Sequence, residues 1–543
     1  MKLLKGIALT IATATLISGY SQLTEVYAEE TTGQTIQEGG VFARMQRQLE
    51  HQEETDARLL QASHNMQYTF ENPYVEVNPY GVSPLSAVAI FNTDKPMNIS
   101  ILIQSNKGNS KGDVSFNFDG YNTTHEIPIY GLYANTTNHV VLTGTLENGQ
   151  TQTTTLEIKT DRLARVDSVN FLTDTKDPSA YADGFNFSAN LQFAFDIDGD
   201  IRWYSDFDNF LKIDAQDGGD FRTRHSEFDY NGHVILSYGA YHKGWILIYE
   251  SNLLGKIFNV YESPYGVHHN ITKAVDGDNL FAGGSLGATA EDFIYEIDVK
   301  TGEIVDSLDM KTLLPRSRNQ STRLGSWSDW LHNNSVQYRD GDMLLSARSQ
   351  SVVVNLDWDN KEIKWILGDH EGWINSMQQY LLTPIGDNFQ WQYAQHAARF
   401  LPDQDGNPDT VDIILFDNGN NRFNPDGDMQ RAIRNNEIVE PELYSRLVQY
   451  RINEKEMTVE QVWSFGEELG VTYYALWMGY NQLLNNGHFL GTFEVRTDIG
   501  TSASNTSHIL EVNRDGDIVW EVNMSANSAS GELNNYQVQR YPL

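Results

Sequence analysis

Beyond residue 165 one type of β-hairpin returns six times, and that repetition constrains the fold more than any other feature of the 543-residue chain. The copies lie at 191–203, 246–257, 293–304, 352–365, 446–463 and 509–520, each an apolar run, a turn rich in Asp, Asn or Gly, and a second run. Asp-Gly and Asn-Gly favour the tight turns that join antiparallel strands. A second hairpin type precedes most copies, with His225, His268, His332 or His396 at its entrance and, in the last case, Tyr480-Asn481. Two hairpins make four strands, so six sets predict an all-β chain whose residues 165–543 form a six-bladed β-propeller. Long antiparallel pairs do not fit a βαβ pattern, and a stacked β-helix needs shorter, more regular repeats.

The chain before the repeats divides by texture. Residues 1–28 read as a secretory signal: Lys2 and Lys5, an apolar run from Gly6 to Gly19, and Val26-Tyr27-Ala28 before Glu29. Residues 29–66 are rich in Gln, Glu and Arg and predict an N-terminal arm with one or two helical turns. Residues 67–164 show short alternating runs, such as 87–91, 98–103, 114–118 and 139–143, which predict an immunoglobulin-like β-sandwich. The arm and the sandwich are candidates for subunit contacts, a homodimer among them. No later segment reaches the ~20 apolar residues of a membrane helix. The reading is therefore an exported protein, periplasmic or secreted, with no membrane span. A net charge of −35 argues against a nucleic-acid partner, because phosphates need basic faces. Absence of cysteine removes disulfides, thiolate metal sites and cysteine nucleophiles together.

In a propeller the first strand of each blade lines the central channel, so equivalent residues of successive blades converge. His268 and His332 each stand nine residues before a turn glycine, Gly277 and Gly341, and His268, His332 and His396 follow one another at 64-residue intervals. They are expected to meet at one mouth of the channel, with Arg348 leaving the same hairpin as His332. Asn270 and Asn334 repeat two positions after His268 and His332. His269 is the neighbouring alternative to His268, since a strand points successive side chains in opposite directions. His225 fits less well because its turn comes sooner. His51, His233, His242, His370, His488 and His508 read as surface or packing residues.

A neutral imidazole is a competent nucleophile, and arginine offers a planar fork of donors for sulfonyl or phosphoryl oxygens. Phosphoryl transfer ordinarily brings Mg²⁺ and carboxylates, so a cofactor-free site suits a sulfate ester better. Neither a Walker loop nor a nucleotide-binding Gly-rich motif is visible. Three histidines could instead hold zinc, but no H-x-H spacing accompanies them and Arg348 would repel a cation. The Asp/Gly-rich loops at 196–200, 403–409 and 424–428 lack the closing Glu of an EF-hand and read as hairpin turns.

These residues resemble the bacterial arylsulfate sulfotransferases. The resemblance rests on Asp329-Trp330-Leu331-His332-Asn333-Asn334-Ser335, Ser346-Ala347-Arg348, Trp365-Ile366-Leu367-Gly368, Gln395-His396 and Phe416-Asp417-Asn418-Gly419 with Arg422. It covers most of the chain beyond the signal. It implies sulfuryl transfer from a phenolic sulfate ester to a phenol, without a nucleotide donor, cofactor or metal, by a ping-pong route through a sulfohistidine. His396 then looks like the nucleophile, and His332, Asn334 and Arg348 like the set that binds the sulfuryl group. His268, or His269, looks like the remaining histidine. Asn418, Arg422 and Tyr480 are carried as substrate-binding candidates, with Trp330, Tyr393 and Trp477 as further ring-bearing residues near the mouth. Ala397 stands where the family often has Asp after the Gln-His pair, so a group orienting the nucleophile must come from elsewhere. The cysteine pair of better-known members is absent. A non-catalytic propeller binding an anionic ligand and a metal-dependent propeller hydrolase are the rival readings.

Overall fold

The computed structural model describes residues 41–163, 169–188, 191–207, 222–229, 233–239, 246–269, 271–275, 277–318, 329–420, 422, 443–496, 505–526, 533 and 535–542. The signal at 1–28, Asn270, His242 and the loop at 424–428 lie outside them. Two compact units divide at His51/Gln52, and the helix Val41–Ser63 crosses that division. Its 23 residues exceed the one or two turns expected, because nothing between Val41 and Ser63 breaks a helix: the stretch holds no Gly or Pro and many Glu, Gln, Ala, Arg and Leu. In its second half Gln52, Thr55, Leu59 and Ala62 are buried at spacings of three and four. Gln52 uses both amide atoms on Ile257, donating to its carbonyl at 2.8 Å and accepting from its N–H at 2.7 Å. Among the described residues no helix is long and apolar enough to cross a membrane.

The next sheet has five strands, with Tyr74–Val77, Ala87–Ile103, Thr137–Leu146 and Thr151–Lys159 in order and Val114–Ile129 paired to the second. The short runs at 87–91 and 98–103 are two parts of one 17-residue strand. They looked separate because Asn92–Met97 is polar and contains Pro96. The strand continues through it with register shifts, an irregularity of the kind where a proline inside a strand is tolerated.

Among the described residues six further sheets follow, four of four strands and two of five, antiparallel but for one short added strand. The fourth runs Asn333–Arg339, Asp342–Ala347, Val352–Asp357 and Glu362–Leu367; the fifth contains His396–Phe400, Thr410–Asp417, Arg446–Asn453 and Thr458–Phe465. Each recurrent hairpin forms the third and fourth strands of its set. Their tryptophans recur with them: Trp203, Trp365 and Trp520 are buried, and Trp463 packs on a core. Apolar side chains of the third sheet pack on the fourth (Phe281, Ile294, Val336, Leu345), and those of the fourth on the fifth (Leu344, Val353, Ile413, Leu415).

The termini complete two sheets in a way the hairpin count did not foresee. The strand Val538–Tyr541 pairs with Phe185–Ser188 to begin the first sheet, while Val169–Thr175 adds a fifth strand to the last. Arg540 on that terminal strand is fully buried against Glu511 of the sixth sheet, and it also donates to Asn186 at 2.9 Å. At the other junction Arg202 anchors the first sheet to the N-terminal one. Its guanidinium pairs with Asp196 at 2.9 Å, donates to the carbonyls of Gly112 and Gly131, and stacks 3.8 Å from the Tyr133 ring.

Candidate active site

Four histidines from three sheets stand together. The ring of His268 lies 3.8 Å from His269 and 4.7 Å from His332, and His269 lies 5.5 Å, edge-on, from His396. His268, His269 and His396 are buried, and His332 retains 15% exposure. Both members of the His268-His269 pair reach the cluster, against the expectation that they point apart. They precede the strand that starts at Ile271, and His269 adopts a left-handed backbone (φ 66°) that turns its ring to the same side.

Left-handed backbone gathers here. Glu291 (φ 60°), His332 (52°), Ala394 (53°), Ala397 (53°) and Met478 (64°) share it with His269. Each such residue costs about 1–3 kcal/mol and persists only where surrounding contacts enforce it. Asn481, for one, donates to the Ala397 carbonyl at 2.8 Å. The strain comes with β-bulges. Asn333 pairs with Ala347 and Val336 with Leu345, three residues against two, and His396 and Arg399 repeat this against Phe416 and Ile414. His396 is therefore the register equivalent of Asn333, and not of His332 as the 64-residue interval predicts. The count fails because one hairpin turns through Asp340-Gly341 and the other through a loop beyond Phe400.

The hydrogen bonds fix how the rings of His396 and His332 are protonated. The amide nitrogen of Asn418 donates to the carbonyls of Ala475 (2.9 Å) and Met478 (2.6 Å), so its oxygen faces His396 Nδ1 at 2.7 Å as an acceptor. His396 must hold its proton on Nδ1, which leaves a lone pair on Nε2. Burial and the nearby Arg348 cation push its pKa well below the usual histidine value, so the ring is neutral. His332 is the opposite case. Burial opposes its charge, yet Glu291 and Asp329 outweigh burial and push it up to about 9. Its Nδ1 lies 2.8 Å from Glu291 and 3.0 Å from Asp329, and its Nε2 meets His269 Nε2 at 3.3 Å. One nitrogen of that last pair must donate, and the charged His332 supplies the proton. His268 has both nitrogens engaged, Nδ1 with the Asn333 carbonyl at 3.0 Å and Nε2 with Glu291 at 3.0 Å.

Of the other expected residues, Arg348 is buried directly after the strand Asp342–Ala347, its backbone N–H donating to the His332 carbonyl at 3.1 Å. Asn334 donates to the Gln395 carbonyl at 2.7 Å, bracing the residue before His396. Arg422 does not reach the cluster. It pairs with Asp417, donates to the Tyr444 carbonyl at 3.1 Å and stacks 3.9 Å from the Tyr444 ring. Burial would raise Asp417, but Arg422 and Arg446 hold it below the ordinary carboxylate range. Its oxygens also accept from the N–H groups of Tyr393 (2.9 Å) and Gly419 (3.0 Å), fixing the turn that carries Asn418. Tyr480 is buried, and its hydroxyl accepts from Gln539 at 2.7 Å. Trp330 donates to Asp292 at 2.8 Å as part of the core. The side chain of His225 lies outside the described set.

Two groups escaped the sequence reading. Tyr536, from the C-terminal segment, stacks on His269 with ring centres 4.7 Å apart and stands 5.9 Å from His396. Glu291 joins His268 to His332. Neither belongs to a hairpin motif, although the adjacent acids Glu291-Asp292 before an apolar strand were a visible oddity.

Could the cluster hold a metal? His268, His269 and His332 offer donor atoms within 4.8 Å of one another, as do Glu291, Asp329 and His332. Those atoms already satisfy each other, His268 with Glu291 and His269 with His332. A third group, Asp403, Asp405 and Asp412, has Arg451 against Asp405 and Asp412.

Residues 171–537 match a family model described as arylsulfotransferase (ASST), and residues 74–161 match one described as arylsulfotransferase Ig-like domain. An arylsulfate sulfotransferase AssT of Escherichia coli O6:H1 is 25% identical over 517 residues, covering 74% of this chain and 81% of its own. The protein of the same name from Lelliottia amnigena is 24% identical over 523 residues with the same coverage. Among solved structures, hydrazine synthase of Kuenenia stuttgartiensis aligns over 55% of this chain and 64% of its own at 9% identity. Its TM-score of 0.30 is too low to bear on fold or function.

Proposed function

The chain belongs to the arylsulfotransferase family, and on that premise we propose that it moves a sulfuryl group from a phenolic sulfate ester to a phenol through a sulfohistidine at His396. The observation that carries this reading is the fixed tautomer of His396: a neutral, buried ring with Nδ1–H on Asn418 and a lone pair on Nε2. The lone pair attacks sulfur, the S–N bond forms as the S–O bond to the aryl group breaks, and the departing oxygen takes the place of His269 Nε2 at His332 Nε2 and receives its proton. Arg348 faces the negative oxygens while charge redistributes. In the second half the acceptor phenol gives its proton back to His332, its oxygen attacks sulfur, and the S–N bond breaks to restore neutral His396.

Asn334 and Asn418 are positioning residues in this scheme. Arg422 braces Asp417, His268 holds the floor of the site, and Tyr536 and His269 offer faces for the aromatic ring. Around the site we infer a six-bladed propeller at 165–543, which the serial packing of six sheets and the closure by Val538–Tyr541 support. Residues 67–164 form the Ig-like domain and 29–66 the arm. Residues 1–28 would direct export to the periplasm or the medium.

The test is incubation with 4-nitrophenyl sulfate, with and without phenol, before and after chelation. Nitrophenol release that depends on acceptor and survives chelator is the expected result. Release that stops on chelation would favour the hydrolase reading, for which three clustered imidazoles are the supporting observation. No turnover of any aryl sulfate would favour an anion-binding protein. His396→Ala should remove both turnover and an acid-labile sulfuryl adduct of about one group per chain. An active variant would reject the nucleophile.

A further inference from the structure

The carboxylate of Glu291 sits between two imidazoles, with Oε1 3.0 Å from His268 Nε2 and Oε2 2.8 Å from His332 Nδ1. The residue is 1% exposed and is tied down on every side. Its N–H donates to Ser285 Oγ at 2.9 Å, its carbonyl accepts from Asn333 N–H at 3.0 Å, and its backbone is left-handed. It stands in the loop between the strands Leu280–Gly284 and Phe293–Ile297, one sheet before His332. Its neighbour Asp292 points elsewhere, to Trp330 and Lys311. The second carboxylate on His332, Asp329, is more exposed (22%) and approaches the same nitrogen.

We propose that Glu291 is a positioning residue for sulfuryl transfer: it pins His332 Nδ1–H so that Nε2 alone exchanges the proton with the aryl oxygen. The proposal rests on the reading of the site given above. Without Glu291 the ring would keep only Asp329, the more exposed carboxylate at 3.0 and 3.1 Å, as acceptor at Nδ1, and the neutral ring that follows proton donation would be held less firmly to one tautomer. With Glu291 in place the hydrogen stays on Nδ1, and Nε2 gives a proton to the leaving phenolate and recovers one from the incoming phenol. His332 is faced by Glu291, Asp329, His268 and His269, and Glu291 by His268 and His332. The two carboxylates favour the charged acid before transfer, in keeping with its raised pKa. Glu291 touches no substrate in this account and acts through the ring.

The experiment compares two donors that differ in their need for an acid. Nitrophenolate leaves readily without a proton, whereas phenolate, a base of pKa ~10 by analogy with tyrosine, does not. In Glu291→Gln the rate of sulfuryl loading from phenyl sulfate should fall about 100-fold or more, the scale of a lost general acid, while loading from 4-nitrophenyl sulfate should fall less than about 5-fold. The alkaline limb with phenyl sulfate should also move to lower pH. Equal losses with both donors, or no loss with either, would overturn the proposal. Should the Gln variant fail to fold by thermal melting, the same donor ratio is read in Glu291→Asp, where an unchanged ratio is again a refutation. A wild-type protein that forms no sulfuryl adduct rejects the underlying reading instead, before any variant is compared.

Discussion

Replacing Asn418 by alanine is the sharpest test of the proposed reactivity of His396. The amide oxygen accepts from Nδ1 at 2.7 Å, and its nitrogen is committed to two backbone carbonyls, so no other orientation of the side chain serves. The variant leaves the His396 N–H without its acceptor in a fully buried place. An orphaned buried donor costs about 1–3 kcal/mol, and at 1.36 kcal/mol per decade this slows loading about 5- to 150-fold. The loss is one of tautomer and aim, not of protonation: the Asn418 bond raises the pKa of His396, so removing it leaves the ring still more firmly neutral. The assay is rapid mixing with 4-nitrophenyl sulfate, reading nitrophenolate release in the first turnover across pH 6–10, beside a thermal melt. The expected result is a lower plateau with an unchanged acid limb. A folded variant that loads at the wild-type rate would refute the tautomer argument, and a new acid limb near neutrality would show that Asn418 governs charge instead.

Three further outcomes follow from the same geometry. In the proposed mechanism His332, pushed up to about 9, acts as the acid for poor leaving groups, so loading from phenyl sulfate should hold through neutral pH and fall above about 9; an alkaline limb below 7 would reject that assignment. Its contribution to stability has the matching sign: fully present below about 6.5, the unfolded value, and lost as pH rises through about 9, as denaturation measured against pH should show. Dialysis against a strong chelator should leave turnover unchanged; a loss restored by zinc would transfer the histidines to a metal site. Arg540→Ala should cost about 3–5 kcal/mol in denaturant unfolding, because Glu511 would keep a fully buried charge with its main partner gone. A change below about 1 kcal/mol would mean that Asn486 and His488 already hold that carboxylate.

The repeating hairpins were legible because their physics is local: a two-residue period, an Asp-Gly or Asn-Gly turn, and the same period again. His396 was legible too, but its place in the sheet was misread by one residue. A bulge is set by pairing across strands, and counting along one strand does not reveal it. The sandwich strands were cut too short because Pro96 and its polar neighbours resemble a loop until the partner strand is seen. Glu291 and Tyr536 lie outside any repeat, and their significance arises only from contact with rings far away in sequence. Asn418 was read as part of a motif, yet its role depended on knowing that its nitrogen faces two carbonyls and its oxygen a histidine.

The pairing of the strand Val538–Tyr541 with Phe185–Ser188 has a consequence in time. Val538 pairs with Ser188, its partner 350 residues upstream, so the first sheet stays incomplete until residues 538–541 have been synthesised. Tyr536, which lines the histidine cluster, arrives in the same stretch. A chain stopping before that stretch would lack the first strand of one sheet and the ring stacked on His269 together. The first sheet and the wall of the histidine cluster are thus completed by the same few residues.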